Sequence, residues 1–474
     1  MATQSISSQD AVDVDAIRQI VSKNFSTSVE HLKNLARIPS VAWDSFDPIH
    51  VRRSAEAVAE LAKELGFDDV RIATAPKSDG AEGSPAVLAR KPAAPGKPTI
   101  LLYAHHDVQP PGDRELWDSE PFEPEQRGDR LYGRGAADDK AGVMAHWSAI
   151  RALEESTPDH GLGITLFIEG EEEAGSPSFR NFLETHREDL AADVIVVADS
   201  ANWSVGTPSL TTSLRGMLGA EFEIRALDHA VHSGMFGGPI LDAPILAARL
   251  VASLHDADGN VAVAGLEQRD TATVEYDEEQ FRSDSSVVDG YRLAGSGKIT
   301  DRLWNRPAIS LIGLDVVSVA NSANALIPQV RGKLSVRLAP GQDPVAAGEA
   351  LRTHIEDLDL RGAEVRFTVT EAGSAYLQDA EHDAAARLMN ESLQDAWGTD
   401  PVNTGIGGSI PFIADLKELY PSAHILITGV EDPDSRAHSA NESLHLPEFE
   451  KAITAEALLL ARLAAGGLGA SSPE

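Results

Sequence analysis

The sequence predicts an α/β fold built on a mostly parallel sheet, with a smaller α+β unit of ferredoxin-like type inserted in it. Helical and strand patterns alternate over the first two hundred residues, as they do where helices cover a parallel sheet. From about Arg215 the order changes to that of a small α+β sandwich, and after Tyr376 the first pattern resumes. At 474 residues the chain also exceeds the roughly 250 to 300 that a single core serves, so two domains are expected. The division this suggests is a discontinuous α/β domain from 1–213 and 377–474 around an insert at 214–376.

In chain order, residues 51–65 read as an amphipathic helix. Strands are expected at 85–89, 99–103, 164–168 and 194–198, each short, apolar and β-branched as buried parallel strands are. A helix over 140–153 lies between the second and third of these strands. The insert reads as strand 219–225, helix 239–254, strand 332–338, helix 344–358 and strand 364–370, while 256–314 fits no regular pattern beyond loops and short helices. A helix over 380–397, a strand over 424–428 and a helix over 447–464 complete the α/β layer.

Composition excludes several classes of function. A formal net charge of -34 and the lack of a basic stripe argue against a nucleic-acid surface, because phosphate binding relies on Lys and Arg. With 0 Cys there are no disulfides and no thiolate metal sites, so any metal is held by nitrogen and oxygen. The first thirty residues carry Asp10, Asp13, Asp15 and Glu30 and lack the apolar run of a secretion signal. No apolar stretch reaches the roughly 18 residues of a membrane span, and a cytoplasmic protein is expected.

Chemistry-bearing residues follow the predicted strands directly, where open α/β sheets place their ligands. His105 sits in His105-His106-Asp107. Positions two apart share a face, so His105 and Asp107 point together and His106 points oppositely. A carboxylate beside a ligating imidazole fixes its orientation. Gly133-Arg134-Gly135 imitates half of a dinucleotide-binding turn, but Asp138 stands where that motif needs glycine. Capping of the 140–153 helix accounts for one of Asp138 and Asp139, less easily for both. Glu171-Glu172-Glu173 reads as a solvated acidic loop or, being next to a strand, as a metal ligand at Glu173 with Glu172 free to act as a base. Asp199 and His438 are turn or loop residues if taken singly.

Their conjunction decides the reading. Asp107, Asp138, Glu172, Glu173 and Asp199 brought to one place would repel by around 4 kcal/mol per pair at about 4 Å in an effective dielectric near 20. Cations are required. Three carboxylate ligands with two neutral histidines and a hydroxide balance two divalent ions, most simply zinc, with manganese or cobalt also suited to nitrogen and oxygen donors.

These motifs resemble the M20 family of metallopeptidases over nearly the whole chain, and the 133–140 and 169–176 segments are especially similar to its carnosinase-like dipeptidases. The resemblance implies that His105 and Asp199 bind one metal, Glu173 and His438 the other, and that Asp138 bridges them. It implies that Asp107 steadies His105, that Glu172 is the catalytic base, and that a cis peptide joins Asp138 and Asp139. It further implies a homodimer formed through the insert as a lid, with His232 reaching the partner's active site to hold the oxyanion. Arg337 would grip a substrate carboxylate, and Ser409 would belong to a substrate loop. The dipeptidases place an Arg-Glu pair where this chain has Gly405-Ile406, which bears on substrate preference. The expected activity is hydrolysis of dipeptides. The alternatives are N-acyl amino acid deacylation and a non-catalytic peptide-binding relative.

Overall fold

The computed structural model describes residues 12–408 and 411–468. They form two compact units: Met1–Thr212 with Asp379–Thr404 and Asp415–Glu474, and Ser213–Gln378 with Gly405–Ala414.

The sheet of the first unit runs in the spatial order Asp69–Ala73, Ala86–Lys91, Gly163–Glu169, Thr99–His105, Val194–Val197, His424–Ile427, Ser209–Leu214. Its four central strands are parallel to one another, and the flanking ones are antiparallel. The central strands are largely apolar, as strands of a covered parallel sheet are, and Gly163–Glu169 is buried at every residue. All four expected strands of the first two hundred residues are present, as is the 424–428 strand, which ends at Ile427.

Helix Lys140–Ser156 packs beside Leu446–Ala464 and beside Val14–Ala36, with Leu32, Met144 and Leu458 in one apolar core. Val14–Ala36 was not anticipated. Two of the acids that argued against a secretion signal serve its N-terminus: Asp13 caps it by accepting from the Ala16 N–H at 3.0 Å, and Asp15 lies in its first turn.

His146, on Lys140–Ser156, is buried between Glu456 Oε1, 2.7 Å from its Nδ1, and the Tyr103 carbonyl, 2.9 Å from its Nε2. A backbone carbonyl and a carboxylate are both acceptors, so the ring satisfies them only by donating from both nitrogens, as an imidazolium. Burial opposes that charge, but Glu456 overcomes it and raises the pKa. Stability from this pair is therefore fully present below the unfolded histidine value of about 6.5 and is lost as pH rises through the higher folded value. In urea melts across pH 5 to 9, His146→Gln is expected to flatten this dependence and to cost about 3 kcal/mol at the acid end, the scale of breaking a buried pair.

The second unit has a four-stranded antiparallel sheet in the order Ala308–Asp315, Gln329–Leu338, Gly216–Arg225, Glu364–Gly373. With helices Ala243–Ser253 and Pro344–Glu356 the chain order is β-α-β-β-α-β, the ferredoxin-like arrangement. Leu218, Phe222, Leu246, Leu334 and Leu351 lie in its core. Two expectations need correction. The 239–254 helix starts at Ala243, because Gly238 takes φ +100° and Pro244 suits a first turn. The irregular 256–314 stretch contains helices Glu278–Ser285 and Ile299–Trp304, but also the strand Ala308–Asp315.

Candidate active site

Five side chains from the carboxyl ends of the parallel strands and the loops beyond them form two triads that share Asp138: His105, Asp138 and Asp199, and Asp138, Glu173 and His438. In each, one candidate ligand atom per residue lies within 4.8 Å of the others. Asp138 Oδ1 is 3.2 Å from His105 Nε2, and its Oδ2 is 3.0 Å from His438 Nε2. The two oxygens of one carboxylate thus face different imidazoles. His105 Nε2 is also 3.9 Å from Asp199 Oδ1, and His438 Nε2 is 3.2 Å from Glu173 Oε2. Glu172 belongs to neither triad, but its Oε2 comes within 3.9 Å of His105 Nε2.

The residues fit divalent metals. His105 is fully buried, yet its Nε2 finds no hydrogen-bond partner among the described residues and faces three carboxylates. An orphan imidazole nitrogen facing acids is what an inserted cation resolves.

Each of these side chains is held by its neighbours. The Nδ1 of His105 faces the Asp107 carbonyl oxygen at 3.1 Å, with the Asp107 carboxylate at 3.4 Å. That carboxylate has a second task, accepting the N–H groups of Glu172 at 3.1 Å and Glu173 at 3.0 Å, so one buried acid fixes both the imidazole and the glutamate turn. Gln109 donates to Glu173 Oε2 at 2.7 Å and was not foreseen, although it lies two residues beyond Asp107. His106 turns away, as expected, to the Pro85 carbonyl at 2.9 Å, and burial pushes its pKa down to about 4. Asp139, rather than Asp138, caps the Lys140 helix by accepting from Gly142 N–H at 3.1 Å; its other oxygen accepts from the His105 N–H. The Asp138–Asp139 peptide is cis.

The reading of Glu171-Glu172-Glu173 as a solvated loop fails. Glu171 and Glu173 are buried, and Glu171 accepts from Ser84 N–H at 2.7 Å and Ser178 N–H at 2.9 Å.

Charge in the cluster is frustrated without cations. Burial, with Asp199 and Glu173 adding to it, pushes the Glu172 carboxyl up to about 9. Burial likewise lifts Asp199 to about 6, and Glu431, a further acid that sequence reasoning passed over, lies well above the carboxylate range through burial and the nearby Asp138 and Asp199. Hydrogen bonds to Asp138 and Glu173 raise His438 to about 11. Divalent charge at the two triads would work against these shifts.

Of the remaining expected site residues, His232 and Arg337 lie in the second unit, and Ser409 is outside the described residues. His232 is exposed at the end of the short strand Val231–His232, and its Nδ1 accepts the Gly234 N–H at 3.0 Å. Nε2 therefore carries the ring's proton when the imidazole is neutral. Arg337 sits on Gln329–Leu338 opposite Met217. Gly405 has no space for a side chain, since a Cβ there would lie 2.6 Å from Ser213 Oγ and 2.7 Å from Trp304 Cβ.

Comparison with known proteins identifies the family. Residues 101–462 match the description Peptidase family M20/M25/M40. The chain is 33% identical to a cysteinylglycine-S-conjugate dipeptidase of Corynebacterium striatum over 86% of this chain and 89% of that protein. It is 28% identical to the human Beta-Ala-His dipeptidase over 88% and 86% of the two chains. The solved dipeptidase Dug1p of Saccharomyces cerevisiae shares the fold, with a TM-score of 0.71 at 21% identity over 95% of this chain and 98% of that one. Among the described residues no helix is long and apolar enough to cross a membrane. The chain belongs to peptidase family M20.

Proposed function

We propose that this protein is a dipeptidase that uses two divalent ions, zinc being the simplest choice, to hydrolyse the peptide bond of a substrate with a free C-terminal carboxylate. The observation that carries the reading is Asp138 presenting one oxygen to each of two imidazole-carboxylate sets. His105 and Asp199 would hold one ion, Glu173 and His438 the other, and Asp138 both; nitrogen and oxygen donors without thiolate suit zinc, manganese or cobalt. Bound there, the ions supply Lewis-acid polarisation of the scissile carbonyl and an acidified water.

The chain's own groups do the remaining work. Glu172, beside the cluster and not part of either ligand set, accepts the water's proton and returns it to the departing amine. Asp107 keeps the Glu172 backbone and the His105 ring in register. His232, protonated at Nε2, donates to the oxyanion in the active site of a partner copy. Arg337 forks onto the substrate carboxylate, and Ser409 would contact substrate. Gly405-Ile406 carries no charged side chain where the dipeptidases place an Arg-Glu pair, which bears on substrate preference.

A homodimer through the second unit is supported by the strand Ala308–Asp315. Among the described residues it pairs on one side only, and it exposes Ile312 at 59% with Leu311 and Leu314 beside it. The net charge of -34 suits a cytoplasmic setting.

The test is a panel of unblocked dipeptides assayed beside N-acetyl amino acids, with and without chelator. Turnover of dipeptides that is abolished by chelation and restored by zinc or manganese is expected. Preferential hydrolysis of N-acetyl amino acids would transfer the same site to the deacylase reading.

A further inference from the structure

We infer that Glu442, paired with Arg134, is a positioning residue that sets Asp138 and His438 at the spacing the shared metal site needs; this rests on the two-metal reading. Glu442 is fully buried, and its two oxygens receive four donors. Oε1 accepts the N–H groups of Ala137 at 3.0 Å and Asp138 at 3.1 Å. Oε2 accepts the Gly135 N–H at 3.1 Å and Arg134 Nη1 at 2.5 Å. Its backbone carbonyl takes the Gly133 N–H at 3.0 Å. One carboxylate thereby gathers the turn that delivers Asp138, including Asp138's own N–H.

The same pair reaches the loop that delivers His438. Glu442 is four residues beyond it, and Arg134 Nη2 donates back to the Ser439 carbonyl at 3.2 Å and to the Pro110 carbonyl at 3.4 Å. Pro110 follows the segment that carries His105, Asp107 and Gln109. Three chain segments that supply the metal site are therefore tied through one ion pair.

The His438 loop needs such a tie. Arg436, His438 and Asn441 all have positive φ, at 55°, 63° and 61°, a region that non-glycine residues occupy at a cost and keep only where surroundings over-determine it. Asn441 adds a pin, accepting the Asp118 N–H at 2.9 Å and donating to the Leu116 carbonyl at 3.1 Å.

Stability alone is a poor account of the pair. A buried ion pair gains little over an apolar replacement, and Arg134 Nε finds no hydrogen-bond partner among the described residues. What the pair supplies is geometry. Asp138 bridges only if both its oxygens reach their imidazoles, and Glu442 sits at the junction of the two loops that set this.

The experiment strips wild type, Glu442→Gln and Arg134→Lys with chelator and titrates each with zinc alone by calorimetry, beside thermal melts of the metal-free forms. In Glu442→Gln the amide turns a donor toward a cradle of donors. Zinc affinity is expected to fall about 10–100-fold, as when a ligand's supporting partner is removed. At saturating zinc, kcat on a dipeptide should recover with KM unchanged, which a lost catalytic group would not allow. Arg134→Lys keeps the Glu442 cradle but gives up the fork to Ser439 and Pro110. It is expected to shift zinc affinity in the same direction, and it decides the question if Glu442→Gln does not fold. Folded variants with wild-type zinc affinity and only lower melting temperatures would overturn the inference. A wild type that takes up no zinc would instead remove the two-metal reading beneath it.

Discussion

Glu172→Gln is expected to lower kcat on a dipeptide by at least about 10³-fold while two metals remain bound, within the range for removing a positioned general base. The substitution is nearly isosteric. Glu172's backbone N–H still reaches Asp107, so the turn that carries Glu173 stays in place. What disappears is a carboxylate at the edge of the cluster, 3.9 Å from His105 Nε2, able to take a proton from water and release it to an amine. Its pH behaviour has a definite direction. In the metal-free protein burial and neighbouring acids push its carboxyl up to about 9, which disfavours the ionised form that a base needs. Metal charge in the two triads works against those acids and favours the ionised form. The acid limb of the activity profile should therefore depend on the metal supplied and vanish from the residual rate of Glu172→Gln. Metal analysis of the purified variant separates the roles. If its metal content falls by half as the rate is lost, Glu172 is a ligand and the base lies elsewhere.

Much of this site was legible because its ligands are chemically distinctive and lie just beyond strands that are easy to read. Thr99–His105 and Val194–Val197 are apolar and β-branched, so His105 and Asp199 are marked by the point at which the pattern stops. The framework that holds them was not legible. Arg134 and Glu442 are 308 residues apart, and neither carries a local signal beyond an ordinary turn arginine and loop glutamate. The strand Ser209–Leu214 is two-thirds polar by composition, so no apolar run marks it, although only Thr212 in it is not buried. Ala308–Asp315 was lost for a different reason. A register shift between Leu311 and Gly313 breaks its alternation, and most of it is exposed, so no buried face imposed a period on the sequence. In Val14–Ala36, Ile17, Val21, Leu32 and Leu35 mark a buried stripe, which the largely polar stretch between Val21 and Val29 interrupts in the sequence.

Asp138→Asn is the substitution expected to remove both metals together. In the wild type each carboxylate oxygen lies about one hydrogen bond from a different imidazole, at 3.2 Å from His105 and 3.0 Å from His438. An amide offers one oxygen and one nitrogen with two hydrogens, so whichever way it is turned, one triad meets a donor where a metal needs a lone pair. The charge argument runs the same way. Asp138, Glu173 and Asp199 supply three negative charges to two dications, and the substitution leaves two, spread over sites that no longer share a ligand. His438→Ala, by contrast, removes a ligand from one triad only and should leave the His105, Asp138 and Asp199 set able to hold an ion. The consequence is readable without any substrate. A ligand that binds only the folded state stabilises it by about 2.7 kcal/mol at a hundredfold excess over its dissociation constant. Wild type should therefore melt higher with zinc than without, His438→Ala should keep part of that gain, and Asp138→Asn should lose it entirely along with all activity. An Asp138→Asn protein that still melts higher with zinc, to the same extent as His438→Ala, would mean that the two sites do not depend on one shared carboxylate.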